Sequence, residues 1–229
     1  MIRTVWPILK RRKNWKPSAI SGLAYEWTAE TLLHLGDGAN ISAWADNLNG
    51  VELTQATTAR QPVLEASLAA ANNKPAVRFD DTDDNMATVN FPTALAQPNT
   101  VLMVLKTCVP QDTLAYYFAG GHLLRTNTGY TPDTYYLFAG SSWNNAGAAT
   151  KDKFISLAAV FNGAASKMYE DGVLLGTGDA GTGSMTLMRI ASSSYPLNGC
   201  VTYIGVVNRE ISAAEVNLFA TWANKKYGL

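Results

Sequence analysis

The segment Asp80-Asp81-Thr82-Asp83-Asp84-Asn85 sets four carboxylates and an amide within six residues. A calcium ion takes several hard oxygens from a flexible loop of this kind, and without a cation the carboxylates repel one another. Asp80, Asp81, Asp83 and Asp84 are therefore a candidate calcium site, which Asp46 or Asn47 would complete if their loop lies close. The spacing is not the alternating one of an EF-hand. The same residues also read as a solvated turn, with Asp80 and Asp83 capping backbone amides.

A second stretch, residues 127–147, carries Tyr130, Trp143, Asn144 and Asn145 in loop-like surroundings. Exposed rings beside amides are what a sugar-binding surface requires. In the adjoining run Thr134-Tyr135-Tyr136-Leu137-Phe138, alternation puts Tyr135 and Leu137 on one face, and Tyr136 and Phe138 on the other. These rings equally read as filling for a β-sandwich.

The third cluster is electrostatic. Residues 1–16 contain six basic and no acidic residues, which leaves 12 basic and 18 acidic residues in positions 17–229. A body of that sign repels polyanions, and nucleic acid is disfavoured as a partner because its readers carry the basic patch on the folded domain. Trp6, Lys10, Arg11, Arg12, Lys13 and Trp15 instead read as a docking arm. The tryptophans would supply buried anchor area, and the cations would meet an acidic rim on a larger assembly.

Catalytic patterns are missing. No strand carries the Glu-x-Asp-x-x-Glu run of a sandwich glucanase, and there is no nucleophile elbow, phosphate loop or paired-His motif. Glu26 and Glu30, and Glu210 and Glu215, read as parts of a first strand and a final helix. Carboxylates that converge only in three dimensions would leave a polysaccharide-degrading enzyme open. Cys108 and Cys200 lie in apolar runs without a CxxC partner or a nearby histidine. They read as buried thiols or as a cross-strand disulfide. His34 and His122 are far apart in sequence, which disfavours zinc.

The elements that must position these residues are strands. With 47% hydrophobic and only 16% charged residues, 229 positions suffice for one large all-β domain. Short apolar runs recur at 74–79, 100–109, 114–120, 134–140, 154–161, 184–191 and 200–208, separated by Gly, Asn, Asp and Pro. No helical pattern alternates with them. Asp171-Gly172 marks a tight hairpin. Ser212, three residues before Glu215, opens one helix, with Lys225 and Lys226 in its last turn and Gly228 at its stop. Pro17 and Ser18 mark the joint between the arm, residues 1–17, and the domain, residues 18–229.

Four segments in order carry a resemblance: residues 41–64 with Trp44-Ala45-Asp46, residues 73–88 with Arg78-Phe79-Asp80, residues 168–176, and residues 197–229 ending in Lys226-Tyr227-Gly228. Together they resemble the laminin-G-like and concanavalin-A-like jelly rolls of bacterial and phage proteins. The resemblance implies a two-sheet antiparallel jelly-roll sandwich with a short C-terminal helix, and a lectin-like role with calcium bound at or near the acidic loop. The family's glycine after Phe-Asp is Asp81 here, which leaves the geometry of that turn open. The basic arm lies outside the resemblance.

The charge follows the apolar stretch Val5–Leu9 rather than preceding it, the reverse of a secretion signal. No run approaches the roughly 18–20 apolar residues of a membrane span. The expected product is made in the cytoplasm and works outside it. That points to a phage virion component, a capsid- or tail-bound decoration or adhesin module that binds glycan or host surface, as an oligomer or not. A free carbohydrate-binding module is the alternative.

Overall fold

The computed structural model describes residues 15–108, 115–127 and 133–229. In chain order the first strands are β1 Leu23–Thr28, β2 Ala43–Ala45, β3 Glu52–Thr54, β4 Val63–Leu68, β5 Lys74–Asp80 and β6 Met86–Ala87. β7 Asn99–Thr107, β8 Tyr116–Ala119, β9 Leu123–Asn127, β10 Thr134–Phe138 and β11 Ser142–Trp143 follow. The series ends with β12 Phe154–Phe161, β13 Ser166–Glu170, β14 Val173–Gly178, β15 Arg189–Ile190 and β16 Asn198–Val207, before a helix at Ala213–Tyr227.

The strands form two antiparallel sheets. The first runs β14-β13-β12-β7-β16-β5-β4, with β1 against the second half of β16; the other runs β11-β10-β9-β8-β15-β6-β3-β2. Burial explains why there are three layers rather than two. Strands β7, β12 and β16 are apolar on both faces, so the sheet they share needs a cover on each side. One face meets the second sheet around Trp27, Trp44, Phe79, Phe118 and Phe161. The opposite face meets the C-terminal helix through Val104, Tyr203, Phe219 and Tyr227. The architecture is the two-sheet jelly-roll sandwich expected from the sequence.

Local chemistry sets several elements. Asp171 and Gly172 both take positive φ, 48° and 84°, and close the β13–β14 hairpin in a two-residue turn. Ser212 and Glu215 form a complete capping box, and Gly228 ends the helix in the left-handed region. Asp81 also takes positive φ, 66°, so the turn after Arg78-Phe79-Asp80 keeps a glycine-like backbone without its glycine.

One expected strand is largely absent. Of residues 184–191 only Arg189–Ile190 pairs as a strand. Met185 bonds to Leu95, Thr186 to Gly120, and the amide of Met188 to the Thr88 hydroxyl, so the run has no single neighbour to pair with. Conversely, β9 carries no apolar run long enough to announce it, and it forms because β8 and β10 flank it in register. The arm reading also changes at one residue. Trp15 packs part-buried against the helix-side core, while Trp6, Lys10, Arg11, Arg12 and Lys13 lie outside the described residues. Among the described residues no helix is long and apolar enough to cross a membrane.

Asp46 organises the entry to the second sheet. Its carboxylate accepts the backbone amides of Glu26, Leu48, Asn49 and Val51 at 2.9–3.2 Å, tying β1 to the β2–β3 turn. Asp46→Ala leaves those amides without an acceptor and should cost about 3 kcal/mol or more in urea denaturation. Asp46→Asn retains one carbonyl acceptor and should cost less.

Candidate functional site

The acidic loop folds back on itself. Asp80 Oδ1 accepts the amide of Thr82 at 2.9 Å and, at 3.5 Å, that of Asp84; Asp84 Oδ2 accepts the amide of Asp80 at 3.1 Å. Asp83 caps no amide in this way and instead pairs with Arg60 at 3.3 Å. Carboxylate oxygens of Asp80, Asp83 and Asp84 lie within 4.8 Å of one another, and Asp81 is not part of that group. Asp46 does not complete it either, because both of its oxygens serve backbone amides. Three converging carboxylates fit the oxygen chemistry of calcium. Each also has a structural task without it.

Asp84 is 5% exposed. Burial, reinforced by the neighbouring Asp80 charge, pushes its carboxyl up to about 6.

The proposed sugar platform is rearranged. Tyr130 lies outside the described residues, and Asn144 and Asn145 are exposed, Asn145 with φ 62°. Trp143 is no open platform. Its indole packs so tightly over β14 that a Cβ at Gly178 would come within 2.5 Å of it, and one at Gly176 within 3.2 Å. It is a half-buried filler that joins the β11 edge of one sheet to the β14 edge of the other. The two glycines make room for it.

Other rings lie on the outer face of the second sheet, Tyr116 and Tyr195 partly exposed and Tyr136 9% exposed. Tyr117, Leu124, Tyr135 and Leu137 point into the sandwich, so Tyr116, Arg125 and Tyr136 point away from it. Arg125 is in register with Tyr116 on one side and Tyr136 on the other. Its guanidinium carbon sits 4.2 Å from the centre of the Tyr136 ring, and the Tyr136 hydroxyl is bonded to Ser142 at 2.8 Å. Tyr195 stacks on Tyr116 with ring centres 4.2 Å apart. The result is a row, Tyr195–Tyr116–Arg125–Tyr136, across three strands and a loop. Alternation assigned Tyr136 and Phe138 to a common face. It could not show that Tyr116 and Tyr195 join them, though a lone arginine inside the apolar run Leu123-Leu124-Arg125 is a readable sign of an outward face.

The glutamates considered for catalysis are tied into the framework. Lys226 meets Glu30 at 2.7 Å, Asn47 donates to Glu26, and Lys167 and Asn162 hold Glu210. Arg209, aided by Ser212, brings the Glu215 carboxyl down to about 2, far from the raised value of a general acid. Cys108 and Cys200 are free thiols, the first of them hydrogen-bonded by Arg78 at 3.4 Å.

With the sandwich, its helix and this face described, the chain can be set beside known structures. Domain 4 of AbnA, a GH43 extracellular arabinanase from Geobacillus stearothermophilus in complex with arabinotriose, superposes with a TM-score of 0.62 at 11% identity, over 86% of this chain and 98% of that one. This chain shares the two-sheet antiparallel β-sandwich fold of that domain. Trypanosoma rangeli sialidase in complex with sialic acid gives a TM-score of 0.60 at 13% identity over 91% of this chain. There the chain spans only 35% of the sialidase's length. No protein-family model and no curated protein sequence matches the chain. At these identities the likeness is one of fold, and the face just described belongs to this chain's own residues.

Two buried titrations oppose each other. Asp84 ionises near 3.8 when unfolded and at about 6 when folded, so stability falls as pH rises through that interval. Burial lowers His122 to about 4, its ring stacked on Phe161 and donating to the Gly183 carbonyl, so stability falls as pH drops below about 6.5. The parent should therefore show a nearly level stability between about pH 4 and 6 in urea titrations. Asp84→Asn should expose the His122 slope and gain about 2–3 kcal/mol above pH 6. If the acidic loop binds calcium, millimolar Ca²⁺ should raise the parent's Tm above pH 6 and leave that of Asp84→Asn unmoved. Trp143→Ala should cost about 3 kcal/mol, the loss expected of an edge-sealing indole rather than of an exposed ring.

Proposed function

We propose that this chain is a non-catalytic carbohydrate-binding module. The observation that carries the reading is the row Tyr195–Tyr116–Arg125–Tyr136 on the outer face of the second sheet. The helix covers the middle of the first sheet's outer face, and Tyr116, Arg125 and Tyr195 are partly exposed on the outer face of the second. Tyrosine presents an apolar ring face to a sugar and a hydroxyl at its rim, with few rotamers to freeze. Tyr116, Arg125 and Tyr136 stand on paired strands, which holds these side chains in place before a ligand arrives. The likeness of fold to an arabinanase domain crystallised with arabinotriose supports the same reading.

The absence of catalysis belongs to this proposal and rests on the engagement of Glu26, Glu30, Glu210 and Glu215 in structural contacts. The basic arm remains our candidate for attachment to a larger assembly such as a phage capsid or tail, on the strength of its charge and tryptophans.

A glycan array should show saccharide retention by the parent. Tyr116→Ala and Tyr195→Ala should each reduce it by roughly tenfold, the scale of one lost stacking contact of 1–2 kcal/mol, with Tm little changed. Incubation with a polysaccharide panel should release no new reducing ends. Retention that survives both tyrosine substitutions would remove this face as the site.

A further inference from the structure

We infer that the face selects saccharides bearing a carboxylate, with Arg125 as the residue that reads the acid; this rests on the carbohydrate-binding reading above. Arg125 is the one cation inside the aromatic row, and it is half-buried between Tyr116 and Tyr136. Among the described residues it makes no ion pair. Its Nε is buried and finds no hydrogen-bond acceptor. An arginine serving only stability in such a place would normally have a carboxylate or carbonyl at that nitrogen. Here the guanidinium lies over the Tyr136 ring instead, and the Tyr136–Ser142 hydrogen bond holds that ring in turn. The fork is oriented and charged, and among the described residues no carboxylate pairs with it.

The spacing suits a sugar acid. Neighbouring strands lie about 4.8 Å apart, close to the width of a pyranose ring. A sugar seated at the Tyr116–Tyr195 pair on β8 thus places a ring substituent over β9, where Arg125 stands. A carboxylate arriving there would meet a planar donor fork in a partly dehydrated setting, where a charge-assisted hydrogen bond is strongest. A second cation supports the same charge preference. Arg189 is exposed on β15, in register with Ala119, and points to this outer side because Ile190 points inward. The carboxylate of Glu52 lies farther off, on β3, two strands beyond β15. Arg125 and Arg189 thus set two cations on this face of a body whose residues 17–229 are net negative.

The test pairs each acid with its neutral counterpart on the full chain: 3′-sialyllactose against lactose, and oligogalacturonate against its methyl ester. The acidic member of at least one pair should bind roughly tenfold or more tightly, with an advantage that shrinks as salt is raised. Arg125→Gln should abolish the preference, bringing the acid down to the level of its neutral partner. Arg125→Lys keeps the charge without the fork and should retain part of it, which serves as the control if the Gln variant fails to fold. Equal binding of acid and neutral sugars would overturn the acid selectivity and leave the saccharide reading standing. Binding of neither class would overturn both. Retention of a single-stranded oligonucleotide as strong as that of the acid would show the face to be a general anion-stacking surface and overturn the inference.

Discussion

Strand β16 is buried on both faces over almost all of its ten residues, and the other layers are arranged around that constraint. A strand in this state cannot sit at a solvent-facing sheet, so it needs apolar cover above and below. It lies between β7 and, along its length, β5 and then β1, which satisfies its backbone from both sides. The second sheet covers one of its faces and the C-terminal helix the other. The helix is short, but its buried residues Val216, Phe219, Ala223 and Tyr227 repeat at helical spacing and land on Tyr203 and its neighbours. Gly205 makes the fit possible, because a Cβ there would come within 2.7 Å of the Tyr203 hydroxyl oxygen.

This layering decides where a ligand can approach. One side of the first sheet is interior, and the helix covers the other over β7, β12 and β16, while the edge strand β14 stays largely exposed. On the outer side of the second sheet Tyr116, Arg125 and Tyr195 are partly exposed, while Thr134 and Tyr136 are buried. Residues that alternate outward from β8 and β9 include Tyr116, stacked with Tyr195, and a half-buried arginine lying over the buried ring of Tyr136. A helix packed on the other sheet would have hidden this row and exposed a different one.

Polar groups at the sandwich margins are handled by local closure. Asp46 gathers four amides where the chain enters the second sheet. Glu170 accepts from the Tyr135 hydroxyl at 2.5 Å and from Thr150, so a phenol directed inward finds an acceptor on the opposite sheet. The acidic loop likewise spends Asp80 and Asp84 on each other's backbone amides. A run of carboxylates in the sequence thus has a structural use as a turn, whatever cation it can also hold.

What the sequence determined by itself was local. The Asp171-Gly172 hairpin, the Ser212–Glu215 cap and the Gly228 stop depend on residues within a few positions of one another, and each was legible. So was the all-β sandwich, because apolar runs of strand length separated by turn residues admit few other packings. Trp143, expected from its surroundings to be an exposed ring, instead packs over β14. An indole's exposure depends on what lies opposite it, and Gly176 and Gly178 are more than thirty positions away. The row on the outer face unites residues 116, 125, 136 and 195, which share a face only through strand register and a loop that folds back onto β8. Register is a property of paired strands, and no single strand's sequence contains it. Tertiary structure alone therefore decided which tyrosines became core, which became surface, and which of them met Arg125.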